Sequence, residues 1–196
     1  MQSLQLDPQL FSHVRVLISL VAGMGLTRLL VGVARIIQHP AGKKVYWVHL
    51  GWVLWMFLGL INFWWWEFRL SQLHDWKFVY YVFLIVYAAS YFLLCALLFP
   101  EQMEEYAGYR EYFMSRRAWI FGVMASLFVL DLGDTLIKGV GYFATLGVEY
   151  PLRAAIHVGL CLVAMRSANP RFHAVFVALA LLYQASWILR QYETFS

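Results

Sequence analysis

Charged residues are scarce in this sequence. Asp, Glu, Lys and Arg make up only 13% of the 196 residues, whereas 62% are hydrophobic. Soluble domains carry about 25% charged residues, and the mean hydropathy of +0.64 is equally unlike theirs. A water-soluble fold is therefore excluded, and the chain is predicted to be an integral membrane protein in contact with the lipid bilayer.

Cysteine and metal-binding patterns are also rare. Cys95 and Cys161 lie in apolar runs without metal-ligand spacing, so neither a disulfide framework nor a cysteine metal site is expected. The sequence contains no HExxH pattern and no glycine-rich phosphate loop, and its histidines are not placed as a transmembrane haem pair. We expect no cofactor, although Asp131, Asp134 and His157 form a minor candidate set of zinc ligands.

The chain is basic, but its basic residues do not form a nucleic-acid patch. Fifteen Lys and Arg against eleven Asp and Glu give a net charge of +4. These residues stand at the ends of apolar runs, which is the pattern of membrane orientation. No nucleic-acid partner is expected.

Six apolar runs are long enough to cross a hydrocarbon core about 30 Å thick. They predict an all-α fold, a six-helix transmembrane bundle that forms a single domain over residues 1–196. The predicted spans are Val14–Ile37, Val45–Trp66, Phe78–Phe99, Ala118–Lys138, Leu152–Ser167 and Phe172–Arg190.

The distribution of basic residues predicts the orientation. Loops one, three and five contain eight Lys and Arg residues, whereas the termini and loops two and four contain six. Because basic loops stay on the cytoplasmic side, we expect a multi-pass protein of a bacterial-type inner membrane or a plasma membrane, with both termini outside. The start of the chain lacks the features of a cleaved signal peptide, so the first run is expected to be a permanent helix.

The longest connection, residues 101–117, has an amphipathic pattern. Tyr106, Tyr109 and Phe113 recur near helical spacing with charged residues between them. This pattern predicts a short interfacial helix between spans three and four. The helix would anchor the protein at the membrane surface or dock a partner protein.

Each predicted span carries its unusual residues on one helical face. We interpret these faces as polar seams that turn toward the interior of the bundle. On spans one to six the seams contain Gly25, Arg28 and Gly32; Trp52, Gly59 and Asn62; Tyr80, Tyr87 and Tyr91; Asp131, Asp134 and Lys138; Arg153, His157 and Cys161; His173, Gln184 and Trp187.

Six of these polar residues lie deep enough to suggest a pathway or a binding site. At about 1.5 Å of rise per residue, one layer lies about 4 to 5 Å outside the span centres, a second about 9 to 10 Å outside, and a single residue about 4 Å inside. The first layer contains Asp131, His157 and Gln184, and the second contains Asn62 and Asp134. The single residue on the inner side is Arg28.

Charges at this depth need partners, because a centre-of-helix Asp costs about 2.5 to 3.5 kcal/mol to insert. We expect Arg28 to pair with Asp131, either as part of a functional site or as a purely structural ion pair. Asp134 and Lys138 are four residues apart and can pair within their own helix.

These features support three functional hypotheses. The first is a small channel or secondary transporter for an ion or small solute, whose pathway passes the Asp131 layer with Arg28 as counter-charge or gate. Such a protein is expected to be a homo-oligomer that packs through the Gly25 and Gly32 face and the Tyr-rich third span. The alternatives are a membrane enzyme acting on a lipid or apolar substrate through the same Asp and His residues, and a non-catalytic subunit of a larger membrane complex.

Overall fold

The protein is a bundle of α-helices. The computed structural model describes residues 6–39, 42–73 and 76–193. The helices in these ranges are α1 Leu6–Gln38, α2 Trp47–Trp66, α3 Phe78–Leu98, α4 Tyr109–Ile137, α5 Val140–Thr145, α6 Glu149–Arg166 and α7 Pro170–Glu193. A 3-10 helix, Glu67–Gln72, continues directly from α2.

Within the described residues, five helices are long and apolar enough to cross a bilayer: α1, α2 with its 3-10 extension, α3, α4 and α7. They coincide with the first four predicted spans and the last. Several such helices in one chain are characteristic of a multi-pass membrane protein. The predicted fifth span lies within α6, but its 18 residues include the charged side chains of Glu149, Arg153 and Arg166. Length and composition therefore do not by themselves make α6 a sixth span.

The connection between α4 and α6 contains a short helix, α5. Gly139 precedes α5 with a φ of 128° and Gly147 follows it with a φ of 69°. These backbone conformations suit glycine because it has no Cβ. The two turns reverse the chain, so that α6 runs back along α4 and the two helices pack closely.

The separate interfacial helix predicted for residues 101–117 is wrong in its boundaries. Residues 101–108 form turns, and residues 109–117 are the first turns of α4, which continues unbroken to Ile137. The sequence has no Gly or Pro between Tyr109 and Phe121, so nothing interrupts the helix. The second half of the amphipathic pattern therefore belongs to the first turns of a long helix and not to a separate helix.

Helix α1 packs along α3 through its glycines. A Cβ placed on Gly25 would lie 3.3 Å from the Cys95 sulfur, and one placed on Gly32 would overlap the Phe99 ring. Tyr87 on α3 is 1% exposed. The Gly25 and Gly32 face, which we expected to pack between subunits of a homo-oligomer, therefore packs against α3 and Phe99 of the same chain. Small residues allow close packing between helices of one chain as well as between chains.

An aromatic core fills the bundle toward the end where α6 and α7 are joined. Trp52 is fully buried, and its ring centroid lies 5.3 Å from that of Phe121 and 4.9 Å from that of Phe176. Phe121 stacks on His173 at 5.4 Å, and His173 Nε2 hydrogen-bonds the carbonyl oxygen of Ser167 at 2.9 Å. This half of the interior is closely packed.

The contact between α1 and α3 leads to a prediction about stability. Gly32→Ala is expected to destabilise the folded protein by about 1–3 kcal/mol, because overpacking a filled interface costs this much and the new methyl group would overlap Phe99. The measurement is unfolding in detergent micelles. Gly23→Ala is the matched control, since a Cβ at Gly23 meets no atom within 4 Å. Equal stabilities of the two variants would contradict the close packing.

Candidate functional site

A cavity of about 80 Å³ lies between α2, α3, α4, α6 and α7. It is near the end of the bundle where α2, α4 and α7 finish and α6 begins. Four of the six residues selected from the sequence line it: Asn62, Asp131, His157 and Gln184. The structure therefore brings together residues from four helices that are far apart in the sequence.

Asp131 is the most heavily bonded residue of the cavity wall. Its carboxylate accepts hydrogen bonds from the Tyr87 hydroxyl at 3.1 Å, from the Tyr150 hydroxyl at 2.9 Å and from Arg153 Nη2 at 3.1 Å. The Tyr150 hydroxyl also contacts Thr135 Oγ1 at 2.7 Å. These donors come from α3 and α6, so the Asp131 carboxylate ties both helices to α4.

Arg153 is held in place by aromatic rings as well as by Asp131. Its guanidinium carbon lies 4.6 Å from the centroid of the Trp187 ring and 5.2 Å from that of Tyr150. The Nδ1 atom of His157 hydrogen-bonds the Arg153 carbonyl oxygen at 2.8 Å, one turn along α6. This arrangement fixes a cation at the cavity wall, since aromatic faces attract guanidinium groups.

Two buried polar atoms at the cavity have no hydrogen-bond partner among the residues that the structure describes. They are Gln184 Oε1, an acceptor, and Arg153 Nε, a donor. Buried polar groups are nearly always paired, so unpaired atoms of opposite character in one cavity suit water or a polar solute.

A second charged cluster lies next to the cavity. Lys138 Nζ donates to Glu67 Oε1 at 2.8 Å and to Asp134 Oδ2 at 2.5 Å, and all three side chains are at most 7% exposed. The predicted pair of Asp134 with Lys138 is present, but it is buried and joined by a second carboxylate. Glu67 also lines a smaller cavity of about 30 Å³, which shares Asn62 and other wall residues with the larger one.

An ion pair between α6 and α7 lies one helical turn beyond the cavity. Arg190 donates to both carboxylate oxygens of Glu149, at 2.6 and 2.9 Å, and the hydroxyl of Tyr183 donates at 2.8 Å. These charge-assisted hydrogen bonds stabilise the ionised form of Glu149. The carboxylate is therefore ionised at neutral pH, and the pair connects the two helices at the mouth of the cavity.

Three predictions from the sequence need correction. Arg28 does not pair with Asp131; its Nη2 lies 3.6 Å from Glu101, whereas Asp131 pairs with Arg153. Arg28 is not among the residues that line the cavity. Its side chain points to Glu101, in the connection after α3 at the opposite end of the bundle. Asp134, expected with Asn62 in the second layer of the pathway, is bonded to Lys138 and is not among the lining residues either.

The minor zinc hypothesis also loses its basis. Among the described residues no three His, Cys, Asp or Glu side chains lie close enough together to hold a metal ion. Asp131, Asp134 and His157 each face a different partner instead.

Several residues of the site have no clear signature in the sequence. Glu67 was assigned to the loop after span two, although it stands four residues after the buried Phe63 and shares its helical face. Arg153 was placed on the seam of α6 but was not recognised as the partner of Asp131. Nothing in the sequence around Tyr150, which immediately precedes Pro151, indicates that its hydroxyl donates to Asp131.

No protein-family model, curated protein or solved structure matches this chain. The proposals below therefore rest on the geometry of the site.

The ion pairing can be tested with two double-mutant cycles. Asp131→Asn and Arg153→Gln should be coupled by about 0.5–3 kcal/mol in unfolding experiments in micelles, because the residues are in contact. The control cycle of Asp131→Asn with Arg28→Gln should be additive within about 0.5 kcal/mol. Coupling between Asp131 and Arg28 without coupling between Asp131 and Arg153 would contradict the structure and favour the pair expected from the sequence.

The ion pair at the mouth leads to a prediction about accessibility. In a Gln184→Cys background, Glu149→Gln should speed reaction of the new thiol with a water-soluble maleimide by about 2- to 5-fold, since an exposed ion pair contributes about 0.2–1 kcal/mol. The native cysteines are fully buried. Glu104→Gln, an exposed carboxylate at the other end of the bundle, is the control. An unchanged rate in Glu149→Gln would exclude a closing role for the pair.

Proposed function

We propose that the protein is a small secondary transporter for an ion or small polar solute, and that the cavity beside Asp131 is its binding site. The observation that carries this proposal is a cavity with unpaired polar atoms, Gln184 Oε1 and Arg153 Nε, beside a fixed ion pair. A volume of about 80 Å³ suits several waters or a solute of a few heavy atoms.

The distribution of side chains favours a transporter over an open channel. The polar cavity lies in one half of the bundle, and the aromatic core around Trp52 and Phe121 lies in the other half. A separate cavity of about 420 Å³ is at the far end, with Arg35, Phe99 and Tyr109 in its wall. A solute in the polar cavity therefore has access to one side only, as in one state of an alternating-access cycle. In this scheme the ion pair of Glu149 with Arg190 controls the mouth.

Helix α6 is the sixth span in this proposal. Its 18 residues cover about 27 Å at 1.5 Å per residue, and it packs along α4, which is long and apolar enough to cross the bilayer. Its charges face partners: Arg153 binds Asp131, and Glu149 binds Arg190. Six spans place both termini on one side, and the basic loops favour the outside of a bacterial-type inner or plasma membrane. The cavity then opens outward.

The two alternatives receive less support. A purely structural subunit would suit a dry and completely paired cluster, but Gln184 Oε1 and Arg153 Nε are unpaired. An enzyme acting on an apolar substrate would need a carboxylate or imidazole free to react. Asp131 is instead engaged by three donors, and His157 is bonded to the backbone through Nδ1, so an enzyme would depend on His157 Nε2 alone.

The transport proposal is tested in proteoliposomes. Shrinkage and recovery after addition of urea, glycerol or glycine are followed by light scattering, and a trapped fluorescent dye follows proton flux. At least one of these fluxes should exceed that of protein-free liposomes. Gly59→Leu should remove it, because a side chain on Gly59 grows into the cavity and has only the Gln184 amide within 4 Å. Asp131→Asn should also reduce it.

Ser126→Ala is the matched control for these variants. Ser126 lies on α4 like Asp131, but it is exposed and its hydroxyl bonds only the backbone of its own helix. Its flux should equal that of the unmodified protein. Absence of every flux, or a flux that survives both Gly59→Leu and Asp131→Asn in folded protein, would refute the proposal.

A further inference from the structure

The buried cluster of Glu67, Asp134 and Lys138 has an unbalanced charge. With all three groups ionised, the cluster carries two negative charges and one positive charge. The neighbouring Asp131 and Arg153 neutralise each other and do not correct the excess. An uncompensated charge at sites 1–7% exposed is costly. One bound proton would make the cluster neutral.

The arrangement of the two carboxyl groups provides a place for that proton. Glu67 and Asp134 bind the same ammonium group, Lys138 Nζ, at 2.8 and 2.5 Å. Each also has one buried oxygen without a partner among the described residues, Glu67 Oε2 and Asp134 Oδ1. Two ionised carboxylates held on one ammonium repel each other, and close carboxyl pairs, such as those of aspartic proteases, share a single proton. Lys138 donates to one oxygen of each carboxyl group, Glu67 Oε1 and Asp134 Oδ2.

Glu67 also lines two cavities. It lines the small cavity of about 30 Å³ beside Asp131. It lines a further cavity of about 180 Å³, which lies between the first half of α1 and the 3-10 helix with Arg15 and Trp64 in its wall. Glu67 therefore stands between the site of the proposed solute and the outer surface of the bundle.

The other ionisable groups around the pair do not neutralise it. Among the described residues, Lys138 is the only base within ion-pair distance of either carboxyl group. The remaining groups that face the cluster are Asp131 and Arg153, paired with each other; the hydroxyls of Tyr87, Tyr91 and Tyr142; Arg69, which lies over the Tyr142 ring; and Arg15, in the wall of the outer cavity.

We propose that Glu67 and Asp134, bridged by Lys138, form a proton-binding site, and that this site couples the solute transport proposed above to protons. The inference of coupling rests on the proposed function, whereas the bound proton does not. On release, a carboxyl O–H bond breaks and the proton passes to a water in a cavity lined by Glu67. The cluster then carries one negative charge, and uptake from a hydronium ion restores neutrality.

Infrared spectroscopy of the protein in liposomes tests the bound proton without any solute. A protonated carboxyl group has a carbonyl-stretch band that ionised carboxylates lack. We expect one such band at pH 7 in the unmodified protein. Glu67→Gln and Asp134→Asn should each lose it, because the single remaining carboxylate and Lys138 then form a neutral pair without a proton.

Glu149→Gln serves as the control for these spectra. Its carboxylate is held ionised by Arg190, so its removal should leave the band unchanged. Absence of the band at pH 7 in the unmodified protein, or its persistence in both Glu67→Gln and Asp134→Asn, would overturn the proton site.

Flux measurements then test the coupling. In proteoliposomes, a pH gradient should accelerate solute flux through the unmodified protein, and Glu67→Gln should lose this acceleration. The same dependence on the pH gradient in Glu67→Gln would overturn the coupling. Absence of any flux would refute the transport proposal, while the infrared result would still decide whether the proton is bound.

Discussion

The ion pair between Asp131 and Arg153 is the interaction on which the site depends. Both groups lie inside the bundle, where an unpaired charge is expensive. The pair is 3.1 Å long and joins α4 to α6, and the Tyr87 hydroxyl adds α3 to the same carboxylate. Removing either charge would leave the other one buried without compensation. The position of α6, and with it the wall of the cavity, therefore depends on this contact.

The rest of the architecture divides polar and aromatic residues between the two halves of the bundle. His49 and His173 lie in the aromatic half: His49 Nε2 binds the Leu98 carbonyl oxygen, and His173 Nε2 binds that of Ser167, each near the end of a helix. Both imidazoles thus bind backbone acceptors and pack among rings, although each keeps a buried Nδ1 without a partner among the described residues. The aromatic half therefore differs from the half with the Asp131 cavity in its packed rings, not in complete pairing of its polar atoms.

Much of this could be predicted from the sequence, because the bilayer imposes simple rules. Apolar runs gave the helices, and depth with helical periodicity brought Asn62, Asp131, His157 and Gln184 to one cavity. The partner of Asp131 could not be found in this way. Depth along a helix is encoded in residue number, but the neighbours of a helix and its rotation are not, and long Arg side chains reach over a full turn. Only the packing of the whole bundle determines which Arg side chain reaches Asp131.

The cluster of Glu67, Asp134 and Lys138 could not be predicted for the same reason, because it depends on how neighbouring helices pack. Glu67 follows the aromatic run that ends α2, and an acidic residue there is typical of a solvated loop. It is buried because the 3-10 helix continues the axis of α2 and returns its side chain to the interior beside Lys138. The consequence is a difference between two adjacent clusters. The pair of Asp131 with Arg153 is neutral and can remain charged throughout, whereas the cluster with Glu67 reaches neutrality only by binding a proton.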